Sequence, residues 1–163
     1  MIWDMADPED IRGWHRLDAA TTTSGRLLPD DPARLAGIGV RHVINLALDD
    51  HPEALEDEAE RLAALGIGYS HIPVPFDAPQ EAHFDAFREV IERIDAPVHV
   101  HCIMNWRVSA FFYRLNRLNG MAEGEAASLM HRHWNPLTSD NPHAPAWAAF
   151  TAAESLANRP IPR

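Results

Sequence analysis

Cys102 is the only cysteine in a chain of 163 residues, and it opens the run Cys102-Ile103-Met104-Asn105-Trp106-Arg107. A strand-like stretch, Val98-His99-Val100, leads into it through His101, and a helix-like stretch, Val108 to Leu115, follows it. A cysteine between the end of a strand and the start of a helix sits where backbone N–H groups converge. Such a setting favours anions, a thiolate included. Cys102 is therefore a candidate nucleophile. Arg107 is a candidate anion clamp, because its planar fork matches two oxygens at once. The competing reading of Cys102 is a buried structural thiol. For Arg107 it is a surface arginine, although a cation at a helix N-terminus is poorly placed without an anion.

These residues need a scaffold, and the pattern of the chain describes one. Strands are expected over Val40–Leu48, Ile67–Val74 and Pro97–His101, each rich in apolar and β-branched residues. Helices are expected over Glu53–Leu65, with Leu55, Ala59 and Leu62 on one stripe, and over Glu81–Ile94, with Phe84, Phe87, Ile91 and Ile94 on another. A short helix begins at Asp30-Asp31-Pro32 and is ended by Gly37 and Gly39. Another runs from Arg107 to about Leu118, and two more are expected near Ala122–Arg132 and Ala144–Ala157. The whole reads as one domain over 1–163, with an irregular lead-in at 1–28, where Trp3 and Trp14 pack onto it, and a helical portion at 121–163. Alternating strands and helices imply an α/β fold whose central, mainly parallel sheet is flanked by helices. Ligands of such sheets bind at the carboxyl ends of the strands, where Cys102 and the loop Pro75-Phe76-Asp77-Ala78-Pro79 both fall.

Composition limits the partners. The formal net charge is −10, from 24 acids against 14 bases, the opposite of a general nucleic-acid surface. Seven acids fall between Asp49 and Glu60, read as a solvated helix face or else a partner-facing patch. No apolar run is long enough for a membrane span, the N-terminus does not read as a signal peptide, and one cysteine forms no internal disulfide. A cytoplasmic location is therefore expected. His51, His71, His83, His131, His133 and His143 lack compact ligand spacing, so no metal site is expected. Gly37 and Gly39 precede a strand instead of following one, so no dinucleotide fingerprint is present and no cofactor is expected.

Four features together resemble the protein tyrosine phosphatase superfamily, and within it the bacterial dual-specificity-phosphatase-like group that includes the beta-lactamase-hydrolase-like phosphatase domains. They are Ser24-Gly25-Arg26; the strand ending Val43-Ile44-Asn45-Leu46; His71-Ile72-Pro73-Val74 with an acid-bearing loop; and Val98-His99-Val100-His101-Cys102 followed by Arg107. They span about residues 24 to 118. The resemblance implies a three-layer sandwich and hydrolysis of a phosphomonoester through a phosphocysteine. It implies Cys102 as nucleophile, Arg107 as phosphate-binding arginine, His101 as the histidine that tunes the cysteine, and Asp77 as general acid. Asp49 and Asp50 are rival carboxylates. Loop residues Ile103, Met104, Asn105 and Trp106 would line the substrate site with Phe76, and Ser109 would donate to the thiolate. His99 is expected to face its own side of the strand, in core or interface.

The loop departs from the family pattern. Four residues separate Cys102 from Arg107 where the family has five, no glycine is present, and Val108 replaces the usual Ser or Thr. Asn105 is suited to the left-handed conformation that a glycine would otherwise take. Trp106 either walls the pocket or packs outward against a C-terminal helix. The shorter loop leaves two other functions open: a rhodanese-like sulfur-transfer protein with a Cys102 persulfide, and a non-catalytic phosphate- or phosphoprotein-binding module. The expected partner is a phosphorylated small molecule or a phosphoprotein. Phe76 and Trp106 favour an aromatic or peptide-like group. The protein is expected to act as a monomer or homodimer.

Overall fold

The structure, a computed structural model, describes residues 6–153. Five strands form one sheet: β1 (His15–Asp18), β2 (Thr21–Ser24), β3 (His42–Asn45), β4 (Gly68–His71) and β5 (Val98–His101), in the order β1-β2-β5-β3-β4. Only β1 pairs antiparallel, with β2; the β2–β5, β5–β3 and β3–β4 ladders are parallel. The helices among the described residues are α1 (Asp31–Gly37), α2 (Glu58–Ala63), α3 (Glu81–Arg93), α4 (Trp106–Leu118), α5 (Glu123–His131) and α6 (Ala144–Ala152). They flank the sheet, giving the three-layer α/β/α sandwich expected of the sequence.

Alternation along the strands sorts side chains between the two layers. Ile44, Val98 and Val100 join Phe84, Phe87, Phe111, Trp147 and Phe150 in one core, against α3, α4 and α6. Val43 joins Leu35, Leu62 and Ile67 in the other, against α1 and α2. The fully buried β5 carries two histidines, His99 and His101, and their stacked rings, 6.3 Å apart, share one face of the sheet. The expectation that His99 faces away from His101 is thus corrected, since residues two apart on a strand point the same way. His99 is core, as expected: Thr22 Oγ1 and Ser24 Oγ lie 2.8 Å from its two ring nitrogens, and burial drives its pKa well below the usual histidine value.

The segment read as an irregular lead-in contains the β1–β2 hairpin. Thr21-Thr22-Thr23-Ser24 is a strand of small hydroxyl residues, and the apolar alternation that marks the other strands is missing there. Helix α2 is shorter than expected and turned slightly. Glu58 and Leu62 are its buried residues, whereas Ala59 is exposed. Helix α6 occupies Ala144–Ala152 of the expected Ala144–Ala157 range and ends at the extended Ala153, and residues 154–157, like Trp3, lie outside the described residues. No described helix is long and apolar enough to cross a membrane.

Candidate functional site

The cysteine loop is built from its two ends. At its start, β5 delivers Cys102 at the carboxyl end of the central strand, with the Cys102 N–H directed at the Ser24 carbonyl, 3.4 Å away. At its end, Asn105 is the N-cap of α4, with φ 68° and ψ 9°. This is the left-handed conformation expected of it, and asparagine tolerates that region better than most side chains. Its Nδ2 donates to the Gly13 carbonyl (2.8 Å) and lies 3.1 Å from Thr23 Oγ1, so the loop is tied to the segment before β1 and to β2. The first turn of α4 leaves amides without intrahelical acceptors, as every helix does, beside the loop.

Behind Asn105 runs a polar chain. Arg132 donates to His15 Nε2 (2.9 Å), His15 Nδ1 is then free to donate to His133 Nε2 (3.0 Å), and the Asn105 amide lies 3.4 Å from the same nitrogen. Burial, reinforced by the charges of His15 and Arg132, pushes the pKa of His133 down to about 4, and burial also lowers that of His15. Neutral imidazoles are what this chain of bonds requires.

Cys102 and Arg107 open onto one cavity of about 450 Å³. Its wall also contains Leu48, Asp50, His51 and Pro52 from the loop after β3, Phe76 from the loop after β4, and Ile103, Met104 and Trp106 from the cysteine loop. Arg107 is buried; its Nη1 donates to the Val74 carbonyl (2.9 Å), and its guanidinium lies 5.8 Å from the centre of the Phe76 ring. Trp147 Nε1 donates to the Phe76 carbonyl at 2.7 Å. The loop after β4 is therefore held at two successive points, and Asp77 follows immediately, exposed and off the cavity wall. Trp106 does both things open to it: it lines the cavity, and it stacks on Trp134 with ring centres 4.8 Å apart and planes 7° from parallel.

His101 lies directly under the loop. Its Nε2 is 2.6 Å from Glu58 Oε2 and its Nδ1 is 3.2 Å from the Cys102 carbonyl oxygen. Glu58 is buried, and its second oxygen accepts from Asn45 Nδ2 (3.3 Å), which also reaches the Tyr69 hydroxyl (3.1 Å). Burial and the nearby Glu58 charge push the Tyr69 pKa up to about 12. Sequence reasoning missed Glu58 by leaving the whole Asp49–Glu60 run in solvent. The signal was present: Glu58 stands three residues after Leu55 and four before Leu62, on the inward stripe of α2.

The structure thus brings Cys102, Ile103, Met104, Trp106, Arg107 and Phe76 to one cavity, places Asn105 and His101 behind it, and leaves Asp77 outside. Ser109 is not at the thiol; its hydroxyl donates to the Trp106 carbonyl (2.9 Å), and it lines a separate small cavity with His15 and His133. The first turn of α4 offers that closer carbonyl, and a helical serine takes it. Asp50, a rival carboxylate, is on the wall. Among the described residues no group of three histidine, cysteine or acidic side chains is arranged to hold a metal ion.

No protein-family model and no curated protein matches the sequence. Solved structures do. A DUF442 protein from Shewanella putrefaciens CN-32, a phosphatase candidate, is 27% identical, with a TM-score of 0.74 over 90% of this chain and 95% of that one. A phosphatase candidate from Neisseria meningitidis Z2491 is 21% identical, with a TM-score of 0.65 over 82% and 95% of the two chains. TpbA of P. aeruginosa, in complex with pTyr, is 17% identical, with a TM-score of 0.67 over 93% and 88%. In its fold, the chain is similar to solved structures of phosphatases and phosphatase candidates.

Proposed function

We propose that the protein is a cysteine-dependent phosphatase that hydrolyses a phosphomonoester. The observation that carries this reading is the shared cavity of Cys102 and Arg107 at the carboxyl end of β5, on a phosphatase-like fold. In the proposed reaction the Cys102 thiolate attacks phosphorus, and the ester P–O bond breaks as the P–S bond forms. The leaving oxygen takes a proton from a carboxylic acid. Water then gives a proton to the same carboxylate as it attacks phosphorus, the P–S bond breaks, and orthophosphate and the thiolate are released. Arg107 and the amides beside it hold the charge that accumulates on the non-bridging oxygens. His101 acts through the Cys102 carbonyl as a positioning residue.

Asp77 is the proposed proton donor, because its loop contributes Phe76 to the cavity and follows β4, a parallel strand separated from β5 by β3. Asp50 is the competing donor, being already on the wall. Leaving-group dependence separates them. The true donor, changed to Asn, costs far more rate with an alkyl phosphate than with p-nitrophenyl phosphate, whose phenolate leaves unaided.

The decisive test is vanadate-sensitive hydrolysis of p-nitrophenyl phosphate. Cys102→Ser should abolish it, and Arg107→Lys should lower kcat about 100-fold or more. Absence of turnover across a broad phosphoester panel would sink the enzymatic reading. Phosphate binding that survives Cys102→Ser and is lost in Arg107→Ala, without any turnover, would identify a binding module instead. The Val74 carbonyl bound to Arg107 favours that second reading, because one of the guanidinium's donors is already used.

A further inference from the structure

A second cluster of charge stands beside the cysteine loop. Glu53 accepts from Arg12 through both oxygens, at 2.9 and 3.1 Å, and from Arg26 Nη1 at 3.0 Å. Two guanidiniums thus converge on one carboxylate, and the cavity they line also holds Asp10 and Asp31, both of which pair with Arg34. The position of the cluster is fixed by backbone. Arg26 N–H donates to the Ile103 carbonyl (2.9 Å), Gly25 N–H donates to the Arg12 carbonyl (2.6 Å), and Arg12 Nη1 lies 3.4 Å from that Ile103 oxygen and 3.5 Å from Met104 Sδ. Ile103 and Met104 are wall residues of the Cys102 cavity, and so are His51 and Pro52, which immediately precede Glu53. The arginine pair is therefore tied to the loop that forms one side of the Cys102 cavity, and it lines a separate cavity of about 170 Å³.

We propose that Arg12 and Arg26 form a second anion subsite, and that the substrate class is a phosphate ester carrying a further phosphate or comparable anionic group. This rests on the phosphatase reading above. A phosphoryl group offers three oxygens and up to two charges to two guanidiniums, where Glu53 offers two oxygens and one charge. Glu53 occupies the subsite in the free protein and swings out when the second anion arrives. A substrate with a single phosphate leaves the ion pairs in place and gains nothing from them. Arg26 belongs to the Ser24-Gly25-Arg26 motif, which the proposed reaction itself leaves unused.

The test compares orthophosphate with tripolyphosphate by calorimetry at low salt, in the Cys102→Ser background. Tripolyphosphate is expected to bind at least tenfold tighter than orthophosphate, and Arg12→Gln/Arg26→Gln is expected to remove most of that preference. Glu53→Gln is expected to strengthen tripolyphosphate binding severalfold, by removing the competing carboxylate, and it decides the matter if the double variant fails to fold. A tripolyphosphate preference unchanged in the double variant, or unchanged or weakened in Glu53→Gln, overturns the proposal. So does an equal loss in Arg34→Gln, which changes a half-buried arginine of the same cavity that pairs with Asp10 and Asp31 instead of Glu53. Orthophosphate binding that depends on Arg107 would survive that failure and leave the phosphatase reading standing. No orthophosphate binding in either Cys102→Ser or Cys102→Ser/Arg107→Ala would remove both.

Discussion

Glu58 Oε2 lies 2.6 Å from His101 Nε2, with both side chains buried beneath the loop that carries Cys102. The other nitrogen of the same ring faces the Cys102 carbonyl. A carboxylate on α2 therefore orients, through one imidazole, the peptide group of the candidate nucleophile.

Glu58→Gln keeps the shape of that side chain and removes its charge. If the pair positions Cys102, kcat for p-nitrophenyl phosphate falls about tenfold or more and the acidic limb of the pH–rate profile moves, while the melting temperature changes modestly. Glu58→Ala is harsher: it strands His101 without its acceptor, leaves Asn45 Nδ2 only the Tyr69 hydroxyl, and costs about 3 kcal/mol. An unchanged pH profile in Glu58→Gln would assign the pair to stability alone.

Asn105 tests the backbone of the loop. Asn105→Ala imposes the left-handed penalty of an ordinary side chain and also removes the bonds to Gly13 and Thr23, for a loss of about 3 kcal/mol. Asn105→Gly loses the same bonds and relieves the backbone, recovering about 1 kcal/mol. Urea denaturation should rank the midpoints wild type, Gly, Ala. Equal midpoints for the two variants would show that the φ of 68° carries no penalty.

Gly25 sits against the cysteine loop so closely that a Cβ would press on the Ile103 carbonyl. Gly25→Ala must push that carbonyl, and with it the loop, away from β2. The expected cost is about 2 kcal/mol, together with a loss of orthophosphate affinity, both absent from the control Gly124→Ala, whose Cβ meets nothing.

The histidine chain behind Asn105 predicts a pH dependence of stability. His133 titrates at about 4 in the folded chain against an ordinary value of 6.5. Between those two values the unfolded chain binds more protons than the folded one. Stability from this group is therefore whole above about pH 6.5 and declines as pH falls towards 4. The decline is about 2 kcal/mol once solvent screening of a half-buried ring is allowed for. His133→Gln should flatten the melting-temperature profile over that interval, and an identical slope in the variant would refute the assignment.

What the sequence made legible follows from which forces act locally. The apolar residues of β3 and β5 and the stripe of α3 report burial directly, and β4, a half-buried edge strand, lies within the expected Ile67–Val74 range. Cys102, Asn105, Trp106 and Arg107 are contiguous, so one loop delivers them together. The β1–β2 hairpin was hidden because Thr21-Thr22-Thr23-Ser24 fills a buried strand with hydroxyls, and their partners, His15 and His99, come from other strands. Glu58 and Glu53 were hidden for a related reason. An acid reads as solvated until its partner is known, and those partners lie 43 residues away at His101 and 41 away at Arg12. Ser109 misled in the opposite direction, since closeness in sequence to Cys102 placed it near a thiol it does not face.

The parallel stack of Trp106 on Trp134 gives the cavity an optical signature of its own. Indoles this close share their excited states, so their circular dichroism carries a paired signal that depends on the angle between the rings. Trp106 is the residue immediately before Arg107 and lines the cavity itself, so a ligand seated there lies against one ring of the pair. Occupancy of the cavity is thereby written into the ultraviolet spectrum of the unlabelled protein, and Trp134→Phe would erase the record while every wall residue keeps its identity.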